Sequence, residues 1–180
     1  VVVASERVDA PSSLAVVTLQ DGQPSYQFYR DGTAERRISA ESLGAVIPAG
    51  TRVFQIGSLS LCDGADAEVW AQLFTDLAQR GVACTLDPNV RPAFVKDPAA
   101  YRSRLEGMMK VASLVKLSDE DLGWLYPDAD PETKAAEAPC AFIVETTAAP
   151  PDISVIRSDK TLSIPPTSRF FNNPTRSINA

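Results

Sequence analysis

The stretch Thr85-Leu86-Asp87-Pro88-Asn89-Val90-Arg91 decides the fold that we expect. An apolar run at 81–84 leads into it, and this run ends abruptly in an acid, a proline, an amide and a guanidinium. The pattern is typical of a buried strand that delivers polar groups to the edge of a sheet. In open α/β sheets, ligands bind in the crevice outside the carboxyl ends of the strands. The stretch therefore predicts an α/β sheet with a binding site at its edge.

Strands and helices alternate on both sides of this stretch, as the hydrophobic periodicity indicates. Residues 66–80, for example, carry apolar side chains at helical spacing and are followed by Gly81, a residue typical of helix C-termini. The alternation predicts a parallel sheet that helices cover on both faces. We predict strands at 53–57, 82–86, 113–117 and 141–144, and helices at 66–80, 97–109, 118–125 and 130–138.

Two hairpins are predicted outside this alternating part. Near the start of the chain, β-rich runs at 13–18 and 25–30 flank Asp21-Gly22, which is a strong hairpin signal. Further on, residues 153–156 and 161–164 flank a short polar turn in the same way. The first hairpin leads into a polar loop, which is either a solvated turn or a cluster that recognises an oxygen-rich ligand. The arginines of this loop are Arg30, Arg36 and Arg37.

The composition limits the class of protein. The chain has 180 residues, enough for one domain with a hydrophobic core, and 44% of them are hydrophobic. Its formal net charge of −6 argues against non-specific binding to nucleic acid or to anionic membranes, which requires a basic surface. No apolar run approaches the roughly 20 residues of a membrane span. Residues 1–7 lack the pattern of a signal peptide.

The chain has three cysteines and no histidine. A Ser-His-Asp triad and a Cys-His dyad are therefore excluded. Cys62, Cys84 and Cys140 stand too far apart in the sequence for a zinc motif. The simpler interpretation is that they are small core residues in a reducing compartment, which places the protein in the cytoplasm.

Segments at 13–19, 28–34, 57–61, 87–91 and 115–121 follow one another in a distinctive order and spacing. Together they resemble the PfkB (ribokinase-like) family of sugar kinases, and among its members most of all the fructokinases. The resemblance extends from residue 1 to about residue 145. It implies an α/β fold, the ribokinase-like three-layer α/β/α sandwich with a small β lid within about 13–32. The chain would then be a single, incomplete domain over 1–180.

The resemblance also implies a reaction, the transfer of the γ-phosphate of ATP·Mg²⁺ to a sugar hydroxyl. Asn89 and Arg91 would approach the nucleotide phosphates and the transferred group, and a guanidinium fork and an amide suit phosphoryl oxygens. Tyr29 and Arg30, together with Arg91, would contact the sugar. Two copies of the chain could pair through the lid.

Lys116 and Ser118 match positions that lie beside the nucleotide in the family. Ser118 to Asp121 takes the place of the family's NxxE motif, so Asp121 would act on Mg²⁺ through a bound water. A capped helix explains the same residues equally well. Ser118 is a good N-cap, and acids in the first turn suit the helix dipole.

The last part of the chain departs from the family pattern. No glycine follows residue 144, where the family has glycine-rich turns. The position of the catalytic aspartate falls on Arg176, which cannot accept a proton. A wrong C-terminal sequence, a truncated or diverged fragment, and a pseudokinase each fit this departure, and we rank them in that order. The chain as written is therefore expected to be inactive.

The resemblance leaves the sugar open. After fructose, the alternative substrate is 2-keto-3-deoxygluconate. A non-catalytic sugar- or nucleotide-binding fragment is an alternative of another class. A Rossmann oxidoreductase is disfavoured because no G-x-G-x-x-G sequence follows any predicted strand.

Overall fold

The computed structural model describes residues 7–20, 22–128, 141–145 and 153–156. The strands are β1 (Leu14–Gln20), β2 (Gln23–Tyr29), β3 (Val53–Gly57), β4 (Ala83–Asp87), β5 (Leu114–Ser118), β6 (Ala141–Glu145) and β7 (Ile153–Ile156). The helices are α1 (Ala40–Val46), α2 (Gly64–Gln79), α3 (Pro98–Met109) and α4 (Asp119–Leu125). Short 3₁₀ turns lie at Ala34–Arg36, Ser58–Leu61 and Pro92–Phe94.

The larger sheet has the strand order β3-β4-β5-β6-β7. Strands β3 to β6 run parallel, and β7 pairs antiparallel with β6. Helix α2 connects β3 to β4, and α3 connects β4 to β5, so the predicted βαβ alternation is confirmed. Parallel strands end at the same edge of a sheet. Gly57, Asp87 and Ser118, the last residues of β3, β4 and β5, therefore stand at one edge.

The core lies between this sheet and the helices that pack on it. Helix α2 packs against β3, β4 and α3, and α4 packs against β5. Burial of one large apolar side chain stabilises a fold by roughly 1.5–3 kcal/mol. Side chains with less than 2% exposure come from both the sheet and the helices. They include Phe74, Leu77, Leu86, Tyr101, Leu105, Val115 and Leu117. Cys62 and Cys84 are buried free thiols, as predicted, whereas Cys140 lies outside the described residues.

Strands β1 and β2 form a separate antiparallel hairpin, at the place where the sequence predicts one. The ring of Phe28 meets the ring of Phe94 edge-on, with 5.2 Å between the centroids. Nη1 of Arg30 donates to the carbonyl oxygen of Leu59 at 2.9 Å. Because a two-stranded hairpin is marginal by itself, these contacts with the remainder of the chain hold it in place.

Most predicted elements are found within a few residues of their expected bounds. The helix predicted at 66–80 is α2, which begins at Gly64. Helix α1 was not predicted, because its seven residues are too few for a clear period. The helix predicted at 130–138 and the strand predicted at 161–164 lie outside the described residues. Among the described residues, no helix combines the length and the apolar character that crossing a bilayer requires.

Candidate active site

The turn that follows β4, Asp87–Arg91, is packed against the end of β3. Gly57 stands opposite Asp87 in the parallel register, and a Cβ atom on residue 57 would lie 1.7 Å from the carbonyl oxygen of Asp87. Ser58 has a φ of 57° and donates its backbone N–H to the carbonyl oxygen of Pro88 at 2.9 Å. The end of β3 therefore fixes the first half of the turn.

A buried carboxylate from α4 holds the second half of this turn. Asn89 has a left-handed φ of 41°, and the N–H of Val90 donates to Oδ1 of Asp121 at 2.7 Å. Oδ2 of Asp121 accepts the N–H of Ser118 at 3.1 Å, and the Ser118 hydroxyl accepts the N–H of Asp121 at 3.0 Å. Asp121 is 6% exposed. One carboxylate thus joins the turn after β4 to the start of α4.

An ion pair links the ends of β4 and β5. Nζ of Lys116 lies 3.6 Å from Oδ2 of Asp87. Burial raises the pKa of Asp87 above its ordinary value, and the charge of Lys116 offsets only part of this rise. Oδ1 of Asp87 is buried and has no hydrogen-bond partner among the described residues. The edge of the sheet therefore presents an ammonium group beside a partly satisfied carboxyl group.

Arg91 supplies the most accessible donors at this edge. Its side chain is exposed, and Nη1 donates to the carbonyl oxygen of Val90 at 3.1 Å. A guanidinium has five N–H donors in a fixed fork, which matches phosphoryl and carboxylate oxygens. The amide of Asn89 stands two residues earlier, half-buried in the same turn. The turn is thus equipped to bind an anion.

A cavity of about 460 Å³ lies between the hairpin and the segment that follows Arg91. Phe28 and Phe94 give it an apolar wall, and most of its other lining is polar. Its size suits a small ligand. The lining residues are Pro11, Ser12, Phe28, Tyr29, Arg30, Asp31, Thr33, Arg36, Asp63, Ala93, Phe94 and Lys96.

The three cations of the cavity, Arg30, Arg36 and Lys96, are paired with acids in or behind its wall. Nη2 of Arg36 donates to Oδ1 of Asp66 at 2.8 Å and lies 3.1 Å from Oδ1 of Asp63. Nζ of Lys96 lies 2.9 Å from Oδ2 of the same Asp63. The hydrogen bond to Asp66 raises the pKa of Arg36, so this guanidinium stays charged.

Asp63 is the acid that two of these cations share. Burial by itself raises the pKa of Asp63, but the hydrogen bond from Lys96 and the charge of Arg36 outweigh it. The pKa of Asp63 therefore lies below its ordinary value of 3.8. The hydrogen bond to Asp63 raises the pKa of Lys96. Arg30 is paired as well, since its Nε donates to Glu35. The lining thus contains both signs of charge in compensated pairs.

The residues predicted from the sequence fall in two places. Tyr29 and Arg30, the predicted sugar contacts, both line the cavity, although Arg30 is 9% exposed and also anchors the hairpin. Arg91, predicted to contact both the sugar and the nucleotide, is not among the residues that line the cavity. The residues predicted for the nucleotide, Asn89, Arg91, Lys116 and Ser118, lie together at the carboxyl ends of β4 and β5.

The predicted magnesium contact of Asp121 through a bound water stays a prediction. Both oxygens of this buried side chain already accept backbone N–H groups. The described part of the chain holds no group of three or more acidic, cysteine or histidine side chains that could bind a metal ion. Arg176, where the catalytic aspartate was expected, lies outside the described residues.

The sequence did not single out Asp63 and Lys96 as site residues. Each precedes the start of a helix, Asp63 before α2 and Lys96 shortly before α3. Helix starts that follow the carboxyl ends of parallel strands lie at the ligand-binding edge, and this position was the available signal. Their pairing depends on the fold, because the two residues are far apart in the chain.

Known proteins with related sequences and structures include several fructokinases. A fructokinase from Rhizobium leguminosarum bv. trifolii is 36% identical over 127 residues, which cover 70% of this chain and 38% of that protein. A crystal structure of a fructokinase from Xylella fastidiosa has a TM-score of 0.68 and 26% identity, covering 82% of this chain and 47% of that one. The chain belongs to the PfkB family of carbohydrate kinases.

A second PfkB kinase structure, the Xylella fastidiosa fructokinase with bound ATP, has a TM-score of 0.64 and 28% identity. It covers 78% of this chain and 44% of that one. The expected ribokinase-like α/β fold is thereby confirmed. Models of protein families give no match to the chain. The chain spans less than half the length of the PfkB relatives described here.

Proposed function

We propose that the chain is part of an ATP-dependent sugar kinase, and that the whole enzyme transfers the γ-phosphate of ATP to a hydroxyl group of fructose. One observation carries this proposal. The residues after Arg91 lead from the anion-binding turn directly into the cavity wall, at Ala93, Phe94 and Lys96. A nucleotide at the strand ends and a sugar in the cavity would therefore lie side by side. The fructokinases among the relatives, one with bound ATP, support both ligands.

The charges of the cavity suit an uncharged polyol. Arg36 and Lys96 are already paired with Asp63, and Arg30 with Glu35, so the acids already neutralise the positive charge that would attract a carboxylate on the ligand. Hydroxyl groups can donate to a carboxylate and accept from an ammonium group without breaking such pairs. This charge balance supports fructose rather than a sugar acid such as 2-keto-3-deoxygluconate.

Phosphoryl transfer depends mainly on positioning and on neutralisation of the phosphate charge. Arg91 and Asn89 offer donors for phosphoryl oxygens, and Lys116 adds a positive charge that it shares with Asp87. Mg²⁺ would accompany the nucleotide, because this ion is usually held by substrate phosphates, waters and one or two carboxylates. The residues described here contain no acidic cluster that would bind it without the nucleotide.

Calorimetric titration of the chain with ATP·Mg²⁺ and with fructose tests the proposal, and we expect both to bind. Arg91→Ala should weaken ATP binding by roughly tenfold or more, because a charge-assisted hydrogen bond contributes about 1.5–3 kcal/mol. Arg80→Ala, which removes an exposed guanidinium at the end of α2, is the matched control and should leave the affinity unchanged. Failure of both ligands to bind, or an equal effect of the two substitutions, would contradict the proposal.

The cellular setting is part of the same proposal. Free thiols at the buried Cys62 and Cys84 are consistent with a reducing compartment, and we infer a cytoplasmic enzyme. We also infer a homodimer through the hairpin, because Leu14, Leu19 and Tyr26 expose more than half of their surface there. Light scattering on the chain and on a Leu19→Lys variant tests the dimer, which the added charge should weaken.

A further inference from the structure

The carboxylate of Asp121 contacts both the turn after β4 and the last residue of β5. Oδ1 accepts the N–H of Val90 at 2.7 Å, and Oδ2 accepts the N–H of Ser118 at 3.1 Å. The first bond joins residues that are 31 positions apart in the sequence, and it is buried. Since a backbone N–H has no freedom to turn away without moving the chain, this bond fixes the position of the turn after β4.

The turn after β4 needs this support because one of its residues has an unfavourable backbone conformation. Asn89 has a φ of 41°, in the left-handed region that costs non-glycine residues free energy and that asparagine tolerates best. Ser58 holds the carbonyl oxygen of Pro88 on one side of Asn89, and Asp121 holds the N–H of Val90 on the other. The two bonds bracket Asn89, and Arg91 follows directly.

The described hydrogen bonds of this carboxylate go to the protein backbone. Asp121 is 6% exposed, and each of its oxygens accepts a backbone N–H. Its position therefore suits support of the turn after β4.

We propose that Asp121 is a positioning residue, which sets where Asn89 and Arg91 present their donors by holding the N–H of Val90. This inference rests on the proposed function, because the donors matter only if the turn binds phosphate. It assigns Asp121 to the anion-binding turn rather than to the metal ion.

Hydrogen exchange of the Val90 amide, followed by NMR on the whole chain, tests the bond itself. We expect slow exchange in the unsubstituted chain and fast exchange in Asp121→Ala, because alanine offers no acceptor to the N–H of Val90. Glu120→Gln makes the same charge change at an exposed site of the same helical turn and should leave Val90 slow. Ser118→Ala removes the helix cap but keeps Oδ1 on Val90, so Val90 should stay slow there as well.

ATP binding tests the consequence for the turn. Asp121→Ala should weaken ATP·Mg²⁺ binding about tenfold, the size expected for loss of a hydrogen bond to a charged group. Combined with Arg91→Ala, it should cause less than this tenfold loss, because the donors of Arg91 are then already absent. The Mg²⁺ concentration that gives half-maximal binding should not change. A general loss of stability would instead leave the two effects additive.

Several outcomes would overturn the proposal. These are fast exchange of Val90 in the unsubstituted chain, slow exchange in Asp121→Ala, additive losses of ATP affinity, and a shifted Mg²⁺ dependence. If the unsubstituted chain binds no ATP, the proposed function fails, and exchange at Val90 alone decides the role of Asp121. The measurement on the unsubstituted chain also decides it if Asp121→Ala does not fold.

Discussion

Position 57 requires glycine because the neighbouring strand leaves no room for a Cβ atom. Its own backbone conformation does not require glycine. Gly57 has a φ of 175°, which is extended backbone that any residue adopts. A Cβ atom there would nevertheless lie 1.7 Å from the carbonyl oxygen of Asp87, well inside van der Waals contact. Because this oxygen belongs to the backbone of β4, it cannot move aside without shifting the turn Asp87–Arg91.

Gly57→Ala should therefore destabilise the protein by about 1–3 kcal/mol or more, the usual cost of overpacking. The free energy of unfolding in urea measures this. Gly107→Ala is the matched control, since a Cβ atom at that exposed helical position meets nothing within 4 Å. It should stabilise by about 0.5–1 kcal/mol through helix propensity. Equal stability of Gly57→Ala and the unsubstituted chain would refute the steric argument.

Asp63 makes the stability of the folded protein depend on pH in a predictable direction. Its pKa is lowered in the folded state, because Lys96 and Arg36 outweigh the effect of burial. An acid with a lowered pKa stabilises the fold above its ordinary pKa, here 3.8, and this contribution is lost as the pH falls through the lower folded value.

Unfolding free energies measured between pH 5 and pH 2.5 should therefore fall more steeply for the unsubstituted chain than for Asp63→Asn. The raised pKa of Asp87 acts in the opposite direction, but it is present in both proteins and cancels in the comparison. Parallel pH profiles for the two proteins would show that the ion pairs of Asp63 contribute nothing.

Among the elements, helix α4 depends on its first residues. Ser118 and Asp121 form a reciprocal capping box that satisfies two N–H groups at the helix start. Ser118→Ala should cost about 1 kcal/mol of unfolding free energy, a typical value for loss of an N-cap. Ser103→Ala, at an exposed position within α3, should cost nothing. Equal unfolding midpoints for the two variants would contradict a capping role.

The hairpin of β1 and β2 is a second element with an identifiable anchor. Arg30 joins it to the 3₁₀ turn Ser58–Leu61 through the carbonyl oxygen of Leu59. Arg30→Ala should open the hairpin locally, with faster amide exchange over 14–29 and little change in the α2 and α3 amides. Arg37→Ala, where the exposed guanidinium donates to the carbonyl oxygen of Asp9, should leave the hairpin protected. Uniform exchange changes across the chain in Arg30→Ala would argue against a local anchor.

Elements were predictable from the sequence where a period or a punctuating residue was present. Val69, Leu73 and Leu77 recur at helical spacing, and α2 follows them. Short α1 carries no such period, and its signal was the pair Ser39 and Ser42 at the helix start. Contacts between distant residues could not be predicted in this way. The bond from Val90 to Asp121 depends on the registers of β4 and β5 rather than on any local pattern.

The same distinction between local patterns and distant contacts applies to the candidate site. Asn89 and Arg91 could be predicted because they follow directly on a buried strand, and strand ends lie at the ligand-binding edge. The roles of Lys116 and Ser118, on β5, were implied by the family resemblance. The ion pairs of Asp63 with Arg36 and Lys96 could not, because three separate segments must fold before they meet.

At the scale of the whole molecule, the fold places two chemically different surfaces next to each other. The sheet edge carries exposed donors on Arg91 and the ammonium group of Lys116, which suit an anionic ligand. The cavity carries compensated charges and an aromatic wall, which suits a neutral one. The continuous segment from Arg91 to Lys96 connects them, so ligands on the two surfaces could react with each other.

Phosphoryl transfer to a sugar also needs a group that accepts the proton of the hydroxyl, and this requirement yields a prediction for the whole chain. The position expected for that base is Arg176, and the sequence contains no Asp or Glu after Asp159. The 180-residue chain should therefore bind ATP and fructose without forming sugar phosphate at the ~1–100 s⁻¹ typical of kinases. A coupled assay for ADP, with and without fructose, measures this, and the Rhizobium leguminosarum relative provides a positive control. Turnover in the kinase range would show that another group in the chain accepts the proton.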